Sequence, residues 1–425
     1  MRRFSIVLLV LIVSVMSLAK AKTIEIWWIA SNEEIRVAKD LIETKFTPKT
    51  GIEVDIKIAA WEDHFEKALL ALAAGDCPDI VMTGAEQLFD FAIRGAIVPD
   101  LNKRYPGEFE KVIADLPQGT WKTHSYNGAW YGLPEGVSPQ LGYYRTDVLN
   151  EVGLAIPNTW DELRAILPKL AARKLSAGFD GYLAPKWFGV ATFAWQRGGA
   201  MITDDRLASA LDSPEAIQGF IEFTDFFTKH GIDPEIQGYN SFINGEMPIL
   251  LHASWVYPSI RFGAPQLIDK FQLGLVPGTV GEDGKINHTA WVHDASWGIM
   301  KGSKHIDESW EFLKWWLSEE IQTGYLNGKM AAIANSVYLS ANLKTLEKAD
   351  IPENDRKIIR EQAAAGTWPA FGVGSVIGTR HMTNAVMEVI LQKEDPEKAI
   401  RKAAKLMTDE MKRKQREFER FVKLL

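Results

Sequence analysis

The feature that most constrains the fold is a regular alternation of strand and helix patterns near the start of the chain. Three short apolar runs are typical of buried strands: residues 23–29, 52–58 and 79–82. Each is followed by a segment with the helical spacing of apolar residues: residues 33–46, 63–73 and 86–93. This order predicts an α/β fold with a mainly parallel sheet and helices on both faces, because parallel strands are joined by helical crossovers.

Polar and aromatic residues follow each of the predicted strands. In open α/β sheets, ligands bind beside the carboxyl ends of the strands. The corresponding segments here are residues 28–32, 60–61 and 83–87. We therefore expect a binding site of this part of the chain to lie along that edge of the sheet.

The first 21 residues have the pattern of an export signal. Arg2 and Arg3 precede a nearly unbroken apolar run over residues 4–18, and residues 19–21 (Ala-Lys-Ala) supply the small residues of a cleavage site. The run is too short to span a bilayer comfortably. No cysteine lies at the cleavage site, so we expect a soluble periplasmic protein without a lipid anchor.

The composition favours binding over nucleic-acid recognition or catalysis. A chain of 425 residues is long enough for two or three domains, and its net charge of −7 argues against a nucleic-acid partner. The single cysteine excludes an intramolecular disulfide and a Cys-based zinc cluster. No dinucleotide-binding, phosphate-loop, zinc-protease or serine-hydrolase motif is present, and we expect neither a cofactor nor a metal.

An ordered set of short motifs runs along the chain after the export signal. Its main members are the segments 26–28, 75–80, 127–134, 143–145, 157–163, 242–245 and 309–315. In this order the set resembles the family 1 extracellular solute-binding proteins of ABC importers, in the group that binds carbohydrates. The resemblance implies a non-enzymatic, monomeric receptor that delivers its solute to the permease of an ABC importer.

The resemblance also implies an architecture. The family has a two-lobe periplasmic-binding-protein fold of type II, in which each lobe is a mainly parallel sheet flanked by helices and the ligand lies in the cleft between them. Carried onto this chain, the implied bounds are residues 22–135 plus 295–340 for lobe one and 136–294 plus 341–425 for lobe two. The implied hinge crossings lie near residues 135–136, 294–295 and 340.

Sugars present apolar C–H faces and a ring of hydroxyl groups, so their sites combine flat aromatic side chains with charged or amide groups. The family's ligand-bearing segments imply twelve candidate contacts in this chain: Ser31, Asn32, Glu33, Trp61, Glu86, Gln87, Trp187, Trp255, Trp291, Asp294, Trp368 and Arg380. Several have structural alternatives. Ser31 or Asn32 can cap a helix, Trp61 can pack on the surface, and Glu86 can stabilise the first turn of a helix.

Other ligands and one other class of protein stay open at this point. The same fold could bind a polyol or cyclitol, glycerol phosphate, a polyamine or a metal complex. Thr83 and Thr379 stand where maltodextrin-binding members carry aromatic residues, so maltodextrin itself is not implied. The alternative from another class is an exported glycoside hydrolase that uses two carboxylates across the glycosidic bond.

Overall fold

The computed structural model describes residues 22–61, 64–179, 188–234, 238–293, 295–335 and 337–423. The predicted export signal, residues 1–21, lies outside the described residues. Two of the predicted ligand contacts, Trp187 and Asp294, also lie outside them.

The strands and helices of the described residues follow in chain order. The strands are β1 Lys22–Trp28, β2 Ile52–Ile58, β3 Ile80–Gly84, β4 Ser125–Tyr126, β5 Ala129–Trp130, β6 Leu133–Pro134, β7 Ser138–Tyr144, β8 Ala177–Phe179, β9 Ile249–Ala253, β10 Gln272–Gly274, β11 Thr279–Val280, β12 Ile286–Asn287, β13 Val292–His293 and β14 Ala295–Ile299. The helices are α1 Asn32–Leu41, α2 Thr47–Thr50, α3 His64–Ala74, α4 Ala85–Ile93, α5 Leu101–Arg104, α6 Glu108–Ile113, α7 Thr120–His124, α8 Thr146–Glu151, α9 Trp160–Ala171, α10 Phe188–Trp195, α11 Pro214–Thr228, α12 Gly238–Asn244, α13 Val256–Gly263, α14 Ile306–Trp316, α15 Glu319–Ala332, α16 Leu343–Leu346, α17 Glu353–Ala365, α18 Ser375–Gln392 and α19 Pro396–Val422. A π-helical turn, Ile42–Phe46, joins α1 to α2, and a 3-10 turn spans Pro265–Leu267.

The first sheet has the strand order β2-β1-β3-β14-β6. Strands β1, β2 and β3 are parallel, as the sequence predicts, while β14 runs antiparallel to both β3 and β6. Along β1 the side chains of Ile24, Ile26 and Trp28 are buried in alternation, which is why this stretch forms a half-buried strand. The α/β class predicted from the alternating pattern is therefore confirmed.

The second sheet has the order β10-β7-β9-β8, with β13 also paired to β7. Only β8 and β9 are parallel to each other, and β7 runs antiparallel to β9, β10 and β13. The expectation of mainly parallel pairing is thus wrong for this sheet. The reason is that β7 starts where the chain arrives from the first sheet, whereas β9 ends on that same side, with Gln140 opposite Ala253.

The chain passes between the sheets through segments that contact one another. Glu135 follows β6 of the first sheet, and its backbone N–H donates to the carbonyl of Ala295. Its carbonyl accepts from the N–H of Ala341, and the next residue, Gly136, bridges to Ser340. A Cβ added at Gly136 would lie only 2.9 Å from the carbonyl oxygen of Leu339, so a glycine is required by this close approach of two backbones.

A cluster of indole rings fills the first sheet's core next to these crossings. The ring of Trp28 meets that of Trp297 edge-on at 4.9 Å and that of Trp316 edge-on at 4.7 Å. All three rings are fully buried. Much of the unusual tryptophan content, 15 residues, is therefore explained by core packing.

Candidate functional site

A cavity of about 800 Å³ lies between the two sheets. From the first sheet and its helices it is lined by the start of α1, by Met82 of β3 and by Ala295 at the start of β14. From the second sheet it is lined by Ser138 at the start of β7 and by Ser254, directly after β9. The carboxyl ends of β3 and β9 therefore meet the cavity, as expected of ligand sites in α/β sheets.

The charged side chains that line the cavity lie on the wall from the first sheet and its helices. Ser31 caps α1, because its hydroxyl accepts from the N–H of Glu34 while the carboxylate of Glu34 accepts from the N–H of Ser31. The other carboxylate oxygen of Glu34 binds the ammonium of Lys329 at 2.5 Å. Glu33 extends from the same turn, and all four side chains line the cavity.

The ion pair between Glu34 and Lys329 is mostly shielded from water. Burial opposes ionisation of Glu34, but the charge and hydrogen bond of Lys329 outweigh it and hold the pKa of that carboxyl below its usual value. The ammonium of Lys329 also lies over the ring of Tyr325 at 5.6 Å and that of Tyr338 at 5.2 Å. Helix α15 thereby fixes the turn that begins α1.

Glu135 forms the floor of the cavity near the crossings. One carboxylate oxygen accepts from the indole N–H groups of Trp297 and of Trp316, the latter at 2.9 Å, and the other accepts from the hydroxyl of Tyr338 at 2.6 Å. Burial raises the pKa of Glu135, and these three hydrogen bonds and the charge of Lys329 oppose the rise. Its acceptor positions are therefore already engaged by the protein.

The wall from the second sheet combines exposed aromatic side chains with serine hydroxyl groups and has no charged side chain among the described residues that line the cavity. Trp255 immediately precedes α13, is 52% exposed, and lies edge-on against the ring of His252 at 4.7 Å. Pro258 and Phe262 of α13 line the cavity as well, and Phe262 is 60% exposed. Exposed aromatic side chains that face charged side chains are the combination that a sugar, with its apolar faces and hydroxyl rim, requires.

Three of the twelve predicted contacts, Ser31, Glu33 and Trp255, line this cavity. Asn32 is the first residue of α1 and is exposed beside them. Trp61 is half-exposed in the turn after β2 and does not line the cavity.

Glu86 and Gln87 occupy the first turn of α4, directly after β3, as the strand-end argument predicts. Neither side chain lines the cavity. The side-chain oxygen of Gln87 is buried and lies close to Gly84, the last residue of β3.

The remaining described candidates lie elsewhere. Trp291 is almost fully buried against Trp195, with ring centroids 5.5 Å apart, and Trp368 is buried in the core beneath the second sheet. Arg380 of α18 pairs with Glu410 of α19 at 3.2 Å. None of these three lines the cavity, and their roles as ligand contacts stay predictions.

Several cavity residues carried no recognisable signal in the sequence. Lys329 is 295 positions from its partner Glu34, so no local pattern connects them. Glu135 is identifiable only as a crossing residue, because its donors come from two distant elements. Phe262 could have been found, since it follows Trp255 by two helical turns on the same face of α13.

The protein has two sheets with flanking helices, and crossing segments join them around a cleft. Charged side chains line the cleft on one side and exposed aromatic side chains on the other. This arrangement defines a class of protein that encloses a small solute. Comparison with known proteins gives the particular family. A family model described as bacterial extracellular solute-binding protein matches residues 30–323. That match covers more than half of the chain, so the protein belongs to this family, and the resemblance seen in the ordered motifs is confirmed.

Solved structures agree in fold. A solute-binding protein of an ABC transporter from Thermotoga lettingae, bound with α-D-tagatose, is 22% identical with a TM-score of 0.74, and the match covers 92% of this chain and 100% of that one. The sugar-binding protein MalE of Xanthomonas citri is 19% identical with a TM-score of 0.75, covering 94% and 99%. At these identities the likeness shows the fold, and it confirms the predicted two-lobe architecture.

Curated relatives match over shorter stretches. The erythritol/L-threitol-binding protein of Mycolicibacterium smegmatis is 23% identical over 318 residues, which is 68% of this chain and 65% of that protein. In three of the curated relatives that it matches, the chain spans between 31% and 65% of their length.

Two further findings concern the part of the chain that the structure describes. No helix there has both the length and the apolarity needed to cross a bilayer. Those residues also contain no group of three or more His, Cys, Asp or Glu side chains placed to hold a metal ion.

Proposed function

We propose that this protein is the receptor of an ABC importer and that it captures a carbohydrate in the cavity between its two lobes. The observation that carries the proposal is the exposed indole of Trp255 on one wall, facing the polar turn of Ser31 and Glu33 on the other. The indole offers a stacking face, and the serine and glutamate offer hydrogen bonds to hydroxyl groups. The solved neighbours that bind tagatose and maltotetraose support this ligand class.

The same proposal has three further parts. The protein delivers its solute to a permease, and it is exported through the signal in residues 1–21. Its lobes comprise residues 22–135 plus 295–340 and residues 136–294 plus 341–425. The two sheets and the crossings at Glu135 and Gly136 support this division. The ligand drives closure of the lobes only if it binds the closed state more tightly than the open state. A ligand with equal affinity for both states does not shift the equilibrium between them.

The cavity supports binding more than hydrolysis. Of its three glutamates, Glu34 is held by Lys329 and Glu135 by three donors. A hydrolase needs one carboxyl group free to give up a proton and another free to attack or to activate water. Among the described residues that line the cavity, Glu33 is the one glutamate exposed to solvent, so these three glutamates offer no working pair.

The test is a titration of intrinsic tryptophan fluorescence with a panel of solutes, on protein that has been unfolded and refolded to remove carried-over ligand. The panel holds mono- and oligosaccharides, polyols, cyclitols, glycerol phosphate and polyamines. We expect a saturable response to one sugar class, abolished or strongly reduced in Trp255→Ala. The matched control is Trp121→Ala, because Trp121 is 51% exposed but does not line the cavity.

A second candidate ligand class is a linear polyol. The relative that binds erythritol and L-threitol favours it. A polyol has hydroxyl groups but no ring face, so its affinity would depend on Ser31 and Glu33 more than on Trp255. Saturation by polyols alone, with Trp255→Ala unimpaired, would replace carbohydrate by polyol as the ligand class.

A further inference from the structure

Helix α13 presents a stripe of side chains to the cavity. The stripe consists of Trp255, Pro258, Ser259 and Phe262, all of which line the cavity. The last three follow Trp255 by three, four and seven residues, a spacing that places all four on one helical face. The opposite face of α13 is buried in the core beneath the second sheet. The stripe is therefore held rigidly by its own helix.

Both ends of this stripe are aromatic and exposed. Trp255 is 52% exposed and Phe262 is 60% exposed, in a protein whose other large aromatic side chains are mostly buried. Exposed aromatic groups that share one concave surface indicate a binding site, whereas isolated ones need no explanation. The two residues are seven positions apart, a rise of about 10 Å along the helix.

That separation exceeds the length of one pyranose ring, so a single sugar cannot cover both aromatic side chains. Between them lie Pro258, with an apolar ring, and Ser259, with a hydroxyl group. A middle sugar unit can rest on these two while its neighbours lie over Trp255 and Phe262. The cavity, at about 800 Å³, falls in the upper part of the range found for small-molecule sites, 300–1,000 Å³.

We propose that Phe262 is a second stacking platform and that the ligand is a linear oligosaccharide of about three or more units lying along α13 from Trp255 to Phe262. The inference rests on the proposed function and names the ligand's size class. Because Phe262 and Trp255 line the same cavity, we expect its occupant to reach both side chains.

The competing role for Phe262 is a closure contact. Ile333 and Ala334, which follow α15, line the same cavity, and lobe closure could press Phe262 against them. A closure contact would raise the affinity for every ligand equally, because the contact forms between parts of the protein in the closed state and does not involve the ligand. A stacking platform supports only ligands long enough to reach it.

The experiment measures affinity by calorimetry against ligand length. The probes are α-1,4-linked and β-1,4-linked gluco-oligosaccharides and β-1,4-linked xylo-oligosaccharides of one to five units. We expect affinity to rise at the length that reaches Phe262. Phe262→Ala should then lose about fivefold in affinity for the longer sugars and less than about twofold for mono- and disaccharides, since an aromatic stacking contact supplies about 1 kcal/mol.

The controls separate a lost platform from a lost fold. Leu391→Ala removes an apolar side chain that is also 60% exposed but lies outside the cavity, and it should leave every affinity unchanged. Phe262→Trp should retain the length dependence. Trp255→Ala should weaken all lengths.

The outcomes distinguish this inference from the proposed function. Sugar binding with no dependence on length, or an equal loss at every length in Phe262→Ala, overturns the inference and leaves carbohydrate capture standing. The absence of binding to any sugar overturns both.

Discussion

His124 is a fully buried residue whose proton positions are fixed by its neighbours. Its Nδ1 lies 3.0 Å from the carbonyl oxygen of Thr120, which can only accept, so Nδ1 carries the hydrogen. Its Nε2, 2.9 Å from the hydroxyl of Ser296, is then the acceptor. Burial lowers the pKa of His124 from 6.5 to about 4, and the ring is neutral throughout the ordinary working range.

This residue predicts an acid-dependent loss of stability. Between pH 6.5 and about 4 the unfolded chain binds a proton at position 124 and the folded chain does not, so the free energy of unfolding falls as the pH falls through this window. The contribution amounts to roughly 3 kcal/mol when the window has been crossed. Urea unfolding of the wild type and of His124→Gln between pH 4 and 7.5 measures it.

In His124→Gln the dependence on pH should be shallower across that window. Leu391→Ala, which removes an exposed side chain that does not titrate, is the control and should retain the wild-type dependence. Equal slopes for the wild type and His124→Gln would show that His124 is not kept neutral by burial.

At the level of elements, the first turn of α1 is positioned by α15. The capping box of Ser31 and Glu34 orients the turn, and the ammonium of Lys329 holds Glu34 in place. Because Ser31 and Glu33 line the cavity from this turn, the ion pair connects the stability of two helices with the geometry of the binding wall.

We therefore expect Lys329→Met to lower the free energy of unfolding by about 2 kcal/mol and to weaken ligand binding several-fold, because it leaves the mostly buried carboxylate of Glu34 unpaired. Chemical denaturation and the fluorescence titration measure the two effects. Lys329→Arg, which keeps the charge, should restore most of both.

The pair of Lys45 and Glu320 offers a matched control. It also joins the α1 region to α15, at 2.8 Å, but both side chains are exposed. Lys45→Met should cost less than about 0.5 kcal/mol and leave affinity unchanged. A loss as large as that of Lys329→Met would mean that the burial of the Glu34 pair is irrelevant.

How far the sequence predicts these elements depends on the range of the interactions involved. Strands β1 to β3 and the cap at Ser31 rest on local periodicity and local hydrogen bonds, and the sequence predicts them correctly. The direction of β7 depends on where the chain enters the second sheet, and the pairing of Lys329 depends on a contact across the fold. Local patterns contain no information about either.

At the scale of the whole molecule, the joint between the lobes is built around one carboxylate. Glu135 receives hydrogen bonds from Trp297 of β14, Trp316 of α14 and Tyr338 in the segment that leads to the Ser340 crossing. Its backbone pairs with Ala295. A strand, a helix and a segment leading to a crossing therefore share a single buried acceptor group.

Glu135→Gln should lower the free energy of unfolding by at least about 2 kcal/mol, because the amide presents N–H groups to donors and leaves buried donors unsatisfied. Denaturation followed by circular dichroism measures this loss. Glu319→Gln, which alters an exposed ion pair with Lys348, is the control and should change stability by less than about 0.5 kcal/mol. An unchanged stability in Glu135→Gln would show that the carboxylate does not hold the joint.

The edge-on rings of Trp28, Trp297 and Trp316 give this joint an optical property of its own. The indole of Trp28 lies within 5 Å of each of the other two, edge-on to both, so the rings share their electronic excitations. This exciton coupling makes the protein absorb left and right circularly polarised light unequally, to an extent set by the mutual orientation of the rings. Two of the three rings are hydrogen-bonded to Glu135 at the crossings. All three rings belong to the core of the first sheet, so the chiroptical signal reports the packing of the core behind the joint, in unlabelled protein and without any ligand chromophore.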